Sequence, residues 1–324
     1  MGEQDMERKS SDSGKVIVPW LVILLSLLPA MARAESLEEP HPIDLTHGLI
    51  SGGLLTSAHW LDSFFGDEDY IDEQEYTRIR IKVKSAIEDG KTINLKTSLR
   101  MRLSMPQLNE RVTLFFDSNS ADELTNEEAS PHQFSSPVSD KKNRTISADL
   151  RYYAARMHDL NLRFSTGLYF HDFLPNGYLG LRYRQNWSTD SFQSKFTQNF
   201  RWYDNRGWES KTGLDFECEV FSDKFLRLTL EGNWDEHTLG YPHALTLSLF
   251  QPLSLDQALE YSMSNYFLTR PSHDLSESLY QIRYRYRFLR EWLVFEVAPR
   301  ITWRKKDNHS WSPGIIFLFE IDFG

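Results

Sequence analysis

The final stretch of the chain, from Trp311 to Gly324, alternates between apolar and polar positions with a period of two. One face carries Ile315, Phe317, Phe319, Ile321 and Phe323. The other face carries Ile316, Leu318, Glu320 and Asp322. Period-two alternation predicts a β-strand. Because phenylalanines on one face oppose carboxylates on the other, this strand is expected to separate a hydrocarbon environment from water.

The same alternation recurs throughout the region that begins at Glu75. Apolar and basic residues alternate from Thr77 to Lys84, and apolar and polar residues alternate again from Ile93 to Leu103. Further strands are predicted at 111–117, 144–157, 160–171, 177–188, 191–204, 208–221, 224–236, 243–251, 255–268, 275–289, 291–304 and 311–323. The fold predicted is all-β, an antiparallel transmembrane β-barrel of about 14 strands. Twelve strands is the alternative, since 93–103 and 111–117 could form one bent strand and 243–251 is a weak pattern.

Residues 1–34 are expected to be a signal peptide. A basic segment with Arg8, Lys9 and Lys15 precedes an apolar core at 16–28, and Ala32-Arg33-Ala34 offers small residues for cleavage after Ala34. An uncleaved membrane anchor is the alternative interpretation. The barrel domain is expected to cover 74–324.

Between them, residues 35–73 are predicted to form a periplasmic N-terminal segment with a short amphipathic helix. Leu54, Ala58, Leu61 and Phe65 share one helical face, and an acidic run begins at Asp67. The helix could plug the barrel, lie on the inner leaflet of the outer membrane, or pack on the barrel rim. The acidic run lacks the ligand spacing of a calcium loop, so a solvated linker is the favoured interpretation.

The long polar stretch at 118–143 is predicted to be a loop, because it is rich in Ser, Asn, Asp and Glu and contains two prolines. An even number of strands places both termini on the same side of the membrane. We therefore expect periplasmic N- and C-termini and an outward-facing 118–143 loop.

Composition narrows the class of protein further. The chain has 324 residues, 14% of them aromatic, and its mean hydropathy is −0.50. A single cysteine excludes a disulfide framework, and a net charge of −10 argues against nucleic-acid binding. Seven tryptophans fall near predicted strand ends, as in the aromatic girdles of membrane barrels: Trp187, Trp202, Trp208, Trp234, Trp292, Trp303 and Trp311.

Together, the leader, the repeated amphipathic strands, the tryptophans and the near-terminal Phe323 resemble Gram-negative outer-membrane β-barrel proteins. The resemblance covers 75–324 and is architectural, without a named subfamily. It implies an outer-membrane location, contact with outer-membrane lipid and folding by the barrel-assembly machinery. Gly324 departs from the usual pattern, in which the chain ends on the aromatic residue.

The polar face of the strands predicts the lining of the lumen. A basic arc is predicted from Arg78, Arg80, Lys82, Lys96, Arg100, Arg102, Arg151, Arg163, Arg182, Arg184 and Arg201, joined by a separate row of Arg283, Arg285 and Arg287. An acidic arc is predicted from Glu209, Asp215, Glu217, Glu231, Glu260, Glu296 and Glu320. Facing arcs of opposite sign would create a transverse field that favours polar solutes.

These features predict porin-like passage or binding of small polar or anionic solutes. The alternative is a closed structural or docking barrel that binds a periplasmic partner through 35–73. An outer-membrane lipid hydrolase or protease is less favoured, because residues such as His273 and Asp274 are adjacent and point to opposite faces of a strand. The sequence predicts no cofactor and no metal cluster.

Overall fold

The computed structural model describes residues 64–65, 77–88, 93–105, 111–118, 146–157, 159–171, 174–189, 192–220, 224–237, 240–270, 272–290, 292–305 and 310–323. Its strands are β1 (Arg78–Glu88), β2 (Asn94–Ser104), β3 (Val112–Asp117), β4 (Ile146–Arg156), β5 (Leu160–His171), β6 (Leu174–Ser188), β7 (Gln193–Tyr203), β8 (Gly207–Val220), β9 (Lys224–Asp235), β10 (His243–Pro252), β11 (Gln257–Leu268), β12 (Asp274–Arg287), β13 (Leu293–Arg304) and β14 (Ser310–Phe323).

The 14 strands form one closed antiparallel barrel in which each strand pairs with its neighbours in sequence. β14 returns to β1 and closes the barrel, with Ile81 opposite Ile321 and Lys82 opposite Glu320. Closure leaves no sheet edge, which satisfies the backbone hydrogen-bonding groups that an open sheet would expose. We call the end with Arg78 and Phe323 the terminal rim and the opposite end the distal rim.

The pleat separates the residues of each strand into an outer and an inner face. In β14, Phe317, Phe319 and Ile321 belong to the outer face, whereas Glu320 belongs to the inner face and is buried. Outer-face side chains of other strands, such as Leu150 and Leu230, are exposed. An apolar exterior around a polar interior is the arrangement that a bilayer-spanning barrel requires.

Tryptophans mark both ends of the apolar exterior. Trp202 faces Trp208 across β7 and β8, and Trp303 faces Trp311 across β13 and β14, all near the distal rim. At the terminal rim, the rings of Trp292 and Phe323 stack with their centroids 6.0 Å apart. Two aromatic bands at opposite ends of an apolar surface match the girdles of membrane barrels.

The predicted count of 14 strands is confirmed, and the alternative of 12 is wrong. β2 and β3 are separate strands that pair from Arg100–Asp117 to Ser104–Thr113. The weakly patterned segment forms β10, which pairs with β9 and β11 and places small residues such as Ala244 and Ser248 on the inner face. Of the predicted helix, the structure describes helical residues Phe64 and Phe65 only.

The leader, most of 35–73 and most of the 118–143 loop lie outside the described residues. Among the residues described, no helix has the length and apolar character needed to cross a membrane.

Candidate functional site: the barrel lumen

Register and burial place the residues of both predicted arcs on the inner face. We call the inner face of β1–β7 the basic wall. Its basic strand residues are Arg78, Arg80, Lys82, Lys84, Lys96, Arg100, Arg102, Arg151, Arg156, Arg163, Arg182, Arg184, Lys195 and Arg201. The acidic strand residues of this face are Glu88, Asp117 and Asp149. The basic wall therefore carries a strong excess of positive charge.

Arginine residues occupy opposite register positions on neighbouring strands of the basic wall. Arg163 lies opposite Arg182, Arg78 opposite Arg102, and Arg80 opposite Arg100. Arg163 and Arg182 are both buried inside the barrel. These register pairs bring several arginines close together, which concentrates positive charge on this wall.

Two carboxylates lie within the basic wall and bind nearby arginines. Arg100 Nη2 lies 3.0 Å from Asp117 Oδ2, and Arg151 Nε donates to Asp149 Oδ1 at 2.7 Å. The guanidinium of Arg151 also stacks on the ring of Phe115, with Cζ 3.7 Å from its centroid. These contacts hold particular guanidinium groups in place but leave the wall predominantly positive.

The inner face of β8–β14, which we call the mixed wall, combines both signs of charge. Its predicted acidic members are Glu209, Asp215, Glu217, Glu231, Glu260, Glu296 and Glu320. Arg283 connects two of them, since its Nη1 donates to Glu260 at 2.7 Å and its Nη2 donates to Glu296 at 2.9 Å. A second bond from Arg283 Nε to Glu296, at 3.1 Å, makes that pair bidentate.

The ion-pair network continues across the closure of the barrel. Arg285 donates to Glu296 and to Glu320, at 3.2 Å in each case. Glu320 also lies 3.3 Å from Arg80 Nε on β1, and Arg80 Nη2 donates to Asp322 at 3.0 Å. Buried charges of alternating sign therefore join β11 to β1, which neutralises much of the acidic arc locally.

Sequence reasoning missed several members of this lining. Arg300 and Arg304 of β13 contact Glu88 of β1, and Arg227 of β9 lies 2.7 Å from Glu217. The period-two pattern of their own strands places all three arginines on the inner face and could have identified them. It could not have identified the partner, because Glu88 is more than 200 positions from Arg304 in the sequence.

An aromatic cluster occupies the distal part of the basic wall. The ring of Tyr203 lies 5.6 Å from Tyr169 and 5.8 Å from Tyr178, measured between centroids. Arg206 in the β7–β8 turn covers the Tyr203 ring, with Cζ 3.7 Å from its centroid. This cluster places both apolar surface and a cation near one opening of the barrel.

Phe64 and Phe65 lie inside the barrel near the terminal rim. Phe64 is 0% exposed and Phe65 is 5% exposed, and the Phe65 ring lies 5.2 Å from the inner-face ring of Phe250. Arg287 covers Phe64 with Cζ 4.7 Å from the centroid, and Arg283 covers Phe65 at 5.3 Å. This pair, which we call the Phe64–Phe65 plug, favours the plugging alternative for the helix to which these residues belong.

The described residues offer no cluster of three or more His, Cys, Asp or Glu side chains placed to hold a metal ion. What the lumen does provide is a cation-rich wall, a neutralised wall and an aromatic obstruction. Charged linings and hydrophobic constrictions are features that govern solute passage in membrane channels in general.

Comparisons with known proteins agree with this architecture at the level of class. No protein-family model and no curated protein sequence matches the chain. Among solved structures, a KdgM porin in complex with disordered oligogalacturonate is similar at 9% identity and a TM-score of 0.39, over 76% of this chain and 99% of that one. The outer membrane channel DcaP of Acinetobacter baumannii is 9% identical with a TM-score of 0.45, over 76% of this chain and 96% of that one.

An anion-selective porin from Comamonas acidovorans is also 9% identical, with a TM-score of 0.44 over 76% of this chain and 99% of that one. The chain thus resembles outer-membrane porins and channels as a class. At such low identity and TM-score, the likeness extends to the barrel architecture alone. The closed 14-strand sheet and its apolar exterior are properties of the structure itself.

Proposed function

We propose that the protein is a porin-type channel of the bacterial outer membrane that passes or binds small anionic solutes along its basic wall. The observation that carries this proposal is the large excess of basic over acidic residues on the inner face of β1–β7, with Arg163, Arg182 and Arg184 among its buried members. An excess of cations along one wall lowers the electrostatic cost of an anion inside the pore.

The test is ion selectivity in planar bilayers. Replacing Arg163, Arg182 and Arg184 with glutamine removes three positive charges from the wall while retaining hydrogen-bonding side chains. We expect the reversal potential in a salt gradient to shift towards cations. The matched control neutralises Arg270, Arg290 and Lys305, which lie in the connections at the rims, and should leave selectivity close to that of the wild type. Equal selectivity in all three proteins would refute an anion path along the basic wall.

The second candidate function, a closed barrel that docks a partner, is favoured by the Phe64–Phe65 plug. Two fully or nearly buried phenylalanines inside a polar lumen reduce the space for solute. A barrel closed in this way would act through its N-terminal segment or its rims rather than through a pore.

Conductance of a Phe64→Ala, Phe65→Ala variant separates the two candidates. Under the channel proposal, removing both rings widens the path and raises conductance. The control, Phe116→Ala with Phe164→Ala, removes the same groups from exposed positions on the outer face and should not change conductance. If wild type and plug variant both fold, as shown by heat-dependent gel mobility, yet neither conducts, the channel proposal fails and the docking barrel stands.

A further inference from the structure

A pair of histidines meets on the outer side of the distal rim, away from the lumen. His243 begins β10, and His273 lies in the connection immediately before β12. Their Nε2 atoms are 3.3 Å apart and their ring centroids are 5.1 Å apart, with 26° between the ring planes. The ring of Phe267, opposite His243 in the register, lies 5.1 Å from His243 and 5.7 Å from His273. Phe267 thus contacts both imidazoles and limits their movement.

The backbone around His243 determines which of its nitrogens has a lone pair available. Nδ1 of His243 lies 3.2 Å from the carbonyl oxygen of Tyr241, a distance at which Nδ1–H donates to that acceptor. A neutral imidazole protonated at Nδ1 presents Nε2 as an acceptor or metal ligand. Tyr241 is itself held by a hydrogen bond from its N–H to Thr269 Oγ1 at 2.6 Å. The tautomer and orientation of His243 are therefore set before any ligand binds.

The spacing of the pair matches that of two histidines bound to one cation. Histidine nitrogens bind Zn²⁺ at about 2.0–2.1 Å, and a tetrahedral angle between two such bonds separates the nitrogens by about 3.3 Å. Extending both bonds back to the ring centres predicts a centroid separation of about 5 Å. Both values agree with the distances in the structure.

We propose that His243 and His273 bind one borderline divalent transition-metal ion, with Zn²⁺ as the representative case, and that water completes its coordination. Imidazole selects Zn²⁺, Cu²⁺ and Ni²⁺ over the hard cations Mg²⁺ and Ca²⁺, which prefer oxygen ligands. Because His243 is the first residue of β10 and His273 lies in the connection before β12, the ion ties the start of β10 to the start of β12. The site is independent of the lumen and of any solute passing through it.

Calorimetric titration of the folded full-length barrel with ZnCl₂ tests the proposal. We expect one saturable Zn²⁺ site that Mg²⁺ does not occupy. His243→Gln and His273→Gln should each abolish this site, because glutamine can still form hydrogen bonds but is a poor zinc ligand. The control is His237→Gln, another distal-rim histidine whose backbone N–H donates to Asp235, and it should retain the site.

Gel mobility of each variant before and after heating shows whether the barrel has folded. A folded wild type without saturable Zn²⁺ binding would overturn the proposal, since the pair would then be joined by a hydrogen bond alone. Binding that persists in the folded His243→Gln and His273→Gln proteins, or that is lost equally in His237→Gln, would place the ion elsewhere and would also overturn it.

Discussion

Glu320 is the side chain whose removal should most weaken the closure of the barrel. It is buried, accepts a hydrogen bond from Arg285 Nη2 at 3.2 Å, and lies 3.3 Å from Arg80 Nε and 3.9 Å from Lys82 Nζ. Glu320→Gln preserves the size of the side chain but removes the charge that holds three cations together. Breaking a buried ion pair by removing one partner costs about 3–5 kcal/mol. Arg285 retains Glu296 and Arg80 retains Asp322, so we expect a loss at the lower end of that range, about 3 kcal/mol.

Urea unfolding in detergent micelles, followed by gel mobility, measures this loss. The control is Asp274→Asn, which breaks the exposed pair with Lys305 at the distal rim and should leave the unfolding midpoint close to that of the wild type. Raising the salt concentration should weaken the exposed pair but hardly affect the buried network. If Glu320→Gln and Asp274→Asn shift the midpoint equally little, the network does not stabilise the closing seam.

Three further predictions concern packing and orientation. Phe319→Arg places a charge on the outer face and should lower the folding stability in the bilayer by roughly 2–4 kcal/mol. Phe319→Leu should assemble normally. Equal yields of assembled protein from the two variants would contradict the assignment of Phe319 to the outer face. Gly167→Ala should destabilise by about 1–3 kcal/mol, because a Cβ would lie 2.5 Å from Ala148 O, while Gly213→Ala, whose nearest neighbour is 4.0 Å away, should be nearly neutral in the same urea assay. In a Cys218→Ser background, a cysteine at Ser272 should react with impermeant reagents on intact cells and one at Ser254 should not; the reverse pattern would place the terminal rim outside.

The alternation of side chains along the chain was enough to determine the local structure. Strand phase follows directly from it, because successive residues of a strand point to opposite faces. Thus Phe319 was predicted for the outer face and Glu320 for the inner face, and the register confirms this placement. The predicted bounds of β5, 160–171, also agree with the structure.

Only the tertiary structure decided which residues meet. Glu88 contacts Arg304 because β14, which pairs with both β1 and β13, brings the two ends of the chain together. Pairing across strands also weakens the transverse field that was predicted between a basic and an acidic arc. Arg283 and Arg285 bind acidic residues of the mixed wall at short range, so these charges cancel locally. Pairing across strands depends on register and closure, and neither is encoded in the alternation of a single strand.

Register and closure also decided the positions of the Phe64–Phe65 plug and of the His243–His273 pair, which sequence reasoning could not place. The helical pattern around Phe65 was compatible with a plug, a surface helix or a rim helix, and the contact with Phe250 inside the barrel favours the plug. His243 and His273 are separated by 30 positions, and each alone is an ordinary rim residue. They become a candidate site because β10, β11 and β12 are adjacent in the closed sheet, so that connections far apart in sequence share one stretch of the rim.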